Sequence, residues 1–189
     1  MNALTKPMSL EDFLAWEERQ EQKWEYDGFV ARAMTGGTSA HALIQTNLVG
    51  QLYLGLRGSS CRVYGSELKV LTSSSIRYPD ALVLCANIDS RATFTTDATV
   101  IFEIVSKSSA VFDLGAKGVE YRTLPSLKRY VVLHQTVAAA EVFQRDGEGE
   151  WSHEFVTASG ALDMPEIGCA VALADLYDGV QFYGEATPR

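Results

Sequence analysis

Two carboxylates stand inside otherwise apolar runs: Asp80 in Arg77-Tyr78-Pro79-Asp80-Ala81-Leu82-Val83-Leu84, and Glu103 in Val100-Ile101-Phe102-Glu103-Ile104-Val105. A carboxylate in an apolar strand is costly to desolvate unless positive charge meets it, and a divalent cation is the usual partner. The pair reads as a metal site. Each residue also has a plainer reading. Asp80 follows a proline and suits a turn or an arginine partner, while Glu103 suits a buried ion pair with Lys69 or Lys117.

Several other residues qualify for supporting chemistry. Glu25, in an alternating segment expected to be half-exposed, either reaches such a site or faces solvent. His41 stands near a predicted helix start, where it suits a general base, a substrate contact or a simple helix-terminal hydrogen bond. Glu67 falls on the same predicted strand face as Lys69 and reads as an acidic extension or a salt-bridge partner. Asp113 and Tyr121 lie four residues before and four after Lys117, so a helix puts all three on one face. His134 and His153 have no acidic or cysteine partner at metal spacing and read as solvated or packing residues. The aromatic residues Phe13, Trp16, Phe29, Phe102 and Tyr130 are not interleaved with basic ones and read as core. Ser106, Ser108 and Ser109 lack a G-x-S-x-G elbow, and Gly36-Gly37 lacks the Lys-Ser/Thr of a phosphate loop, which excludes two common hydrolase designs.

The elements that must position these residues follow from periodicity and punctuation. Ser9-Leu10-Glu11-Asp12 predicts a capped helix carrying Phe13, Leu14 and Trp16. Asp27-Gly28 between alternating runs predicts a hairpin. Ile44, Leu48, Leu52 and Leu56 recur every fourth residue and predict a helix from Ala40 to about Leu56, with Ser39 as its cap. Runs at 61–64, 67–71, 78–85 and 99–105 predict strands in a meander, and 108–124 switches to helical spacing before Pro125. Further strands are expected at 129–133, 137–144 and 151–156, with an acidic turn at Asp146-Gly147-Glu148-Gly149 and an apolar tail segment at 171–176. This order predicts one α+β (α/β-like) domain over residues 1–189, with a mixed central sheet flanked by helices.

Composition narrows the function. A net charge of −8 argues against a surface that binds nucleic acid by broad phosphate neutralisation, so any polyanion contact must be local, metal-assisted or built by an oligomer. Cys61, Cys85 and Cys169 are odd in number and widely spaced, which predicts neither a disulfide framework nor a zinc site and fits a reducing cytoplasm. No apolar run approaches the length of a membrane span.

Taken in order, Glu25-Tyr26-Asp27-Gly28, Ser39 and His41, Ser66-Glu67-Leu68-Lys69-Val70, Tyr78-Pro79-Asp80-Ala81-Leu82-Val83, Phe102-Glu103-Ile104-Val105-Ser106-Lys107-Ser108-Ser109, Asp113 with Lys117 and Tyr121, and Leu127-Lys128-Arg129-Tyr130-Val131-Val132 resemble the Uma-type family of restriction endonucleases, within the PD-(D/E)xK nuclease superfamily. The resemblance spans Trp24 to Leu133. It implies a restriction-endonuclease-like core over about residues 24–133, with Asp80 and Glu103 holding Mg²⁺ or Mn²⁺ on adjacent strands. The implied reaction is hydrolysis of DNA phosphodiester bonds by a metal-activated water, with Glu25 or His41 assisting and a homodimer as the working unit. The superfamily lysine two residues beyond the glutamate is absent, since that position is Val105. Lys117, Lys69 and Lys107 are the candidates to replace it. A catalytically inactive binding or regulatory module of the same fold is the alternative.

Overall fold

The computed structural model describes residues 7–34, 36–106 and 113–182. Helix α1, Leu10–Glu17, starts where the Ser9 hydroxyl accepts from the Asp12 amide at 3.1 Å, and its Phe13 stacks on Tyr26 with 5.0 Å between ring centroids. Strands β1, Trp24–Tyr26, and β2, Ala31–Ala33, pair antiparallel. The turn between them is the one Asp27-Gly28 predicts: Asp27 accepts from the amides of Phe29 and Val30, and Gly28 adopts φ +89°, where a side chain would be strained. Helix α2, Ser39–Gly55, is capped by Thr38 rather than by Ser39, one residue earlier than expected. Its fourfold pattern holds, with Ile44, Leu48, Leu52 and the following Leu56 all buried.

Six short strands follow: β3, Arg62–Gly65; β4, Lys69–Leu71; β5, Ile76–Arg77; β6, Ala81–Leu84; β7, Phe94–Thr95; and β8, Val100–Val105. They do not form the expected meander. Strands β4, β5 and β7 join the hairpin in a five-stranded sheet ordered β2-β1-β5-β4-β7, while β3, β6 and β8 belong to a second sheet. The run expected as one strand over 78–85 forms a strand only from Ala81 to Leu84, because Pro79 has no amide to donate to a ladder. At Tyr78-Pro79-Asp80 the chain crosses from one sheet to the other.

A π-helical turn, Asp113–Lys117, leads into helix α3, Gly118–Arg122, which stops before Pro125. Strands β9, Arg129–His134, β10, Ala139–Arg145, and β11, Trp151–Thr157, complete a six-stranded sheet ordered β11-β10-β9-β8-β6-β3. It is mixed, since β8 and β9 run parallel and the other pairs antiparallel. The tail that the sequence shows only as an apolar segment resolves into a hairpin, β12, Ala161–Met164, and β13, Cys169–Ala172, and then helix α4, Leu173–Leu176. One face of the mixed sheet packs Phe102, Ile104, Val131 and Leu133 against α2 and α4. The other packs Ile101, Val105, Tyr130 and Val132 against Tyr121 of α3. The architecture is α+β, a mixed sheet flanked by helices.

The cysteine expectation is also corrected. Cys61 and Cys85 form a disulfide, because they flank the β3–β6 ladder in which Arg62 faces Leu84, and so meet at facing positions. Their spacing in sequence hides this, since only strand pairing brings them together. Cys169 is a buried thiol. Among the described residues no helix is long and apolar enough to cross a membrane.

Leu48 has no exposed surface. Its replacement by Ala is expected to cost roughly 2–5 kcal/mol in urea unfolding; a loss below about 1 kcal/mol would show that the α2 face does not carry the core.

Candidate active site

The site is built where the two sheets meet. Strand alternation puts Glu103 on the same face as Ile101 and Val105, toward α3. There Tyr121 donates its hydroxyl to Glu103 Oε1 at 2.8 Å, and Lys117 Nζ lies 3.3 Å from the same oxygen. Lys117 Nζ is also 3.0 Å from Glu25 Oε1 on β1. A buried ammonium is thus held between two buried carboxylates, one from each sheet. Glu25 is itself buried, which corrects its expected half-exposed setting. Its Oε1 accepts from the Tyr78 amide at 3.1 Å, and its Oε2 receives Arg77 at 3.3 Å.

Asp80 closes the cluster on its open side. The β6–β8 ladder pairs Ala81 with Phe102, so Asp80 falls opposite Glu103 on the adjacent strand. Its Oδ2 accepts from the Ile104 amide at 2.7 Å, its Oδ1 lies 2.9 Å from His41 Nε2, and its carbonyl accepts from Gln45 at 2.8 Å. The side chains of Asp80 and His41 retain 14% and 22% exposure, which makes this side the approach from solvent.

The structure therefore gathers Glu25, His41, Asp80, Glu103 and Lys117. Lys69 has a different partner: it lies on β4 in the other sheet, and its buried Nζ is 2.6 Å from Glu17 Oε2, while Tyr78 donates to Glu17 Oε1 at 2.6 Å. Glu103 accordingly meets Lys117, and Lys69 is neutralised by α1. Lys107 and the side chain of Asp113 lie outside the described residues. Glu67 is exposed and pairs with Lys23 rather than with Lys69. His134 and His153 do have an acidic partner, sharing Glu141 at 3.2 and 3.0 Å across three adjacent strands, a proximity that sequence spacing does not reveal.

Two residues of the site escape the sequence reading. Arg77, on β5, has no exposed surface and donates through Nε and Nη2 to the two oxygens of Glu120 on α3, both at 2.8 Å. The signal was present, because a guanidinium in an apolar run poses the same desolvation problem as Asp80 and Glu103. Glu120 shows no such signal, because an acid between the apolar positions of a helical segment is unremarkable.

Burial and neighbouring charge set the protonation of these groups. Burial pushes the Glu25 carboxyl up, but Lys117, Arg77 and the Tyr78 amide outweigh it and hold the group below its ordinary value. Burial, together with the Glu103 and Glu25 charges, raises the Tyr121 phenol well above its usual range, so it keeps the proton it donates. Burial alone would weaken the Arg77 guanidinium; Glu120 and Glu25 prevail and keep it charged.

Among the described residues no group of three or more His, Cys, Asp or Glu side chains is arranged to hold a metal ion. A hard cation such as Mg²⁺ needs only one or two protein carboxylates, its other positions going to water and phosphate oxygens. Asp80 and Glu103 supply hard oxygen donors at facing strand positions, and the cluster already holds one cation, the Lys117 ammonium. The donor set fits such an ion.

The mixed sheet, its flanking helices and this carboxylate junction define a restriction-endonuclease-like α+β protein. A solved structure from Anabaena variabilis, described as a putative nuclease belonging to DUF820, shares the fold with a TM-score of 0.78, covering 93% of this chain and 100% of that one at 14% identity. An uncharacterized protein of Synechocystis sp. is 31% identical over 93% of this chain and 94% of its own length, and a second from the same organism is 27% identical over 79% and 87%. The Uma2 family, described as "Putative restriction endonuclease", matches residues 10–172. The chain belongs to that family.

Because the folded-state value of Glu25 is depressed, its stabilising contribution is complete above the ordinary carboxylate value of 4.5 and is lost as pH falls through the lower folded value. Glu25→Gln is expected to be roughly 3 kcal/mol less stable than wild type at neutral pH, with the gap closing in acid. Urea unfolding across that pH range checks this; a gap that does not change with pH would reject the charge pairing.

Proposed function

We propose that the protein is a metal-dependent endonuclease that hydrolyses DNA phosphodiester bonds by attack of water. The observation that carries this reading is the Lys117 ammonium 3.3 Å from Glu103, which fills from a helix the role left open by Val105. Asp80 and Glu103 would hold Mg²⁺ or Mn²⁺, whose chemistry there is to polarise the scissile phosphate and lower the pKa of a water ligand. Lys117 places fixed positive charge where negative charge develops on the phosphate oxygens, and does so in a dry setting where it counts for more than in bulk water. Glu25 keeps that lysine charged and oriented. His41, bonded to Asp80 on the open side, orients that carboxylate and can take up a proton from the attacking water. Tyr121 fixes one oxygen of Glu103, leaving the carboxylate in one orientation.

The reading extends to the whole chain as one domain, to a homodimer whose two sites cut two strands, and to a cytoplasmic setting. The dimer rests on the family resemblance, since a net charge of −8 on each copy gives a polyanion no added attraction. The Cys61–Cys85 bond is the observation that weighs against a strongly reducing compartment.

Cleavage of supercoiled and linear DNA with Mg²⁺ or Mn²⁺ tests the proposal. Wild-type activity is expected to require the metal and to fall by at least about a hundredfold in Asp80→Ala, Glu103→Ala and Lys117→Met. Cleavage that survives in all three variants, or none by folded wild type with either metal, would leave the fold as a binding module.

A further inference from the structure

We propose that Arg77 and Glu120 are a positioning pair that fixes Lys117 between Glu25 and Glu103; this rests on the role given to Lys117 above. Helix α3 has only five residues, follows a π-helical turn and carries no side-chain hydrogen bond at its N-terminal cap. So short a helix has little stability of its own, and its orientation comes from what it touches. Tyr121 anchors it in the core and Glu120 anchors it to β5. Glu120 stands three residues after Lys117, one helical turn away, so what holds Glu120 sets the angle at which Lys117 leaves the backbone.

The anchor is rigid. Both Glu120 oxygens are taken by the buried Arg77 fork at 2.8 Å, and Oε2 also accepts from the Ser75 hydroxyl at 2.7 Å. Arg77 further reaches Glu25 Oε2 at 3.3 Å, while Lys117 lies 3.0 Å from the other Glu25 oxygen. The contacts close a ring: Arg77 to Glu120, along α3 to Lys117, across to Glu25, and back to Arg77. One guanidinium thereby fixes both the helix that presents the lysine and the carboxylate that receives it. Only arginine offers the planar two-pronged donor this requires, so lysine at position 77 keeps the charge and loses the geometry.

Amine-reactive labelling, read peptide by peptide with exposed Lys128 as internal reference, follows Lys117 directly. Arg77→Lys and Glu120→Gln are expected to raise Lys117 labelling by about tenfold while Lys128 is unchanged, as local opening of the helix exposes the ammonium. The same variants should lower kcat for DNA cleavage by about tenfold or more with KM little altered, the pattern of a misplaced group rather than weakened binding. If either variant fails to unfold cooperatively, Glu120→Asp, which keeps the charge but withdraws the carboxylate by one methylene, carries the test with a smaller rise. Unchanged Lys117 labelling in a folded variant overturns the proposal. Raised labelling in a protein whose wild type cuts no DNA upholds the positioning pair and removes the nuclease reading alone.

Discussion

The burial of one ammonium between two carboxylates is the constraint around which the molecule is organised. Lys117, Glu25 and Glu103 are each almost fully withdrawn from water, and each would be prohibitively expensive there alone. Their mutual contacts make burial tolerable, and the requirement propagates outward. Glu25 needs Arg77 and the Tyr78 amide for its remaining valence, Arg77 needs Glu120, and Glu120 ties back to the helix that carries Lys117. A network of this kind contributes little net stability compared with an apolar replacement, yet losing any one member strands a charge in the interior. Such an arrangement is understandable where the charges themselves are put to use, as at an active site.

The network also explains why the fold has two sheets. Glu25 belongs to the five-stranded sheet, Glu103 to the mixed one, and the chain passes between them at Tyr78-Pro79-Asp80. The proline that ends one ladder hands the next residue, Asp80, to the start of another. The crossing places the Asp80 carboxylate just before β6, where its side chain keeps 14% exposure, while its facing neighbour Glu103 is sealed inside at 6%. A partly exposed and a buried acid side by side are what a site open to water on one flank requires.

Much of this arrangement was legible in the sequence because it violates the apolar pattern. Asp80 and Glu103 stand out for that reason, the Asp27-Gly28 turn and the fourfold leucines of α2 are local signals, and each appears where the pattern puts it. Pairing was not legible. Periodicity assigns faces to strands but not neighbours, so four consecutive strands read as a meander when the second of them, at 67–71, belongs to the other sheet. The same blindness hid the Cys61–Cys85 contact, the shared Glu141 of His134 and His153, and the preference of Lys69 for Glu17. Arg77 carries the same signal as Glu103, a charge in an apolar run, but its place beside Tyr78-Pro79-Asp80 masks it.

The disulfide has a topological consequence. Between Cys61 and Cys85 the chain leaves the mixed sheet after β3, runs through β4 and β5 of the other sheet, and returns through Asp80 into β6. The bond closes this excursion at its neck, making it a covalent ring of known circumference, 24 residues along the chain. A ring of that size removes loop-closure entropy from the unfolded chain worth roughly 3–4 kcal/mol at room temperature. In the oxidised protein the strand pair at the neck cannot come apart without the ring, so the inter-sheet crossing stays tethered even when its hydrogen bonds open; in the reduced protein that tether is gone and the crossing depends on its ladders and side-chain contacts.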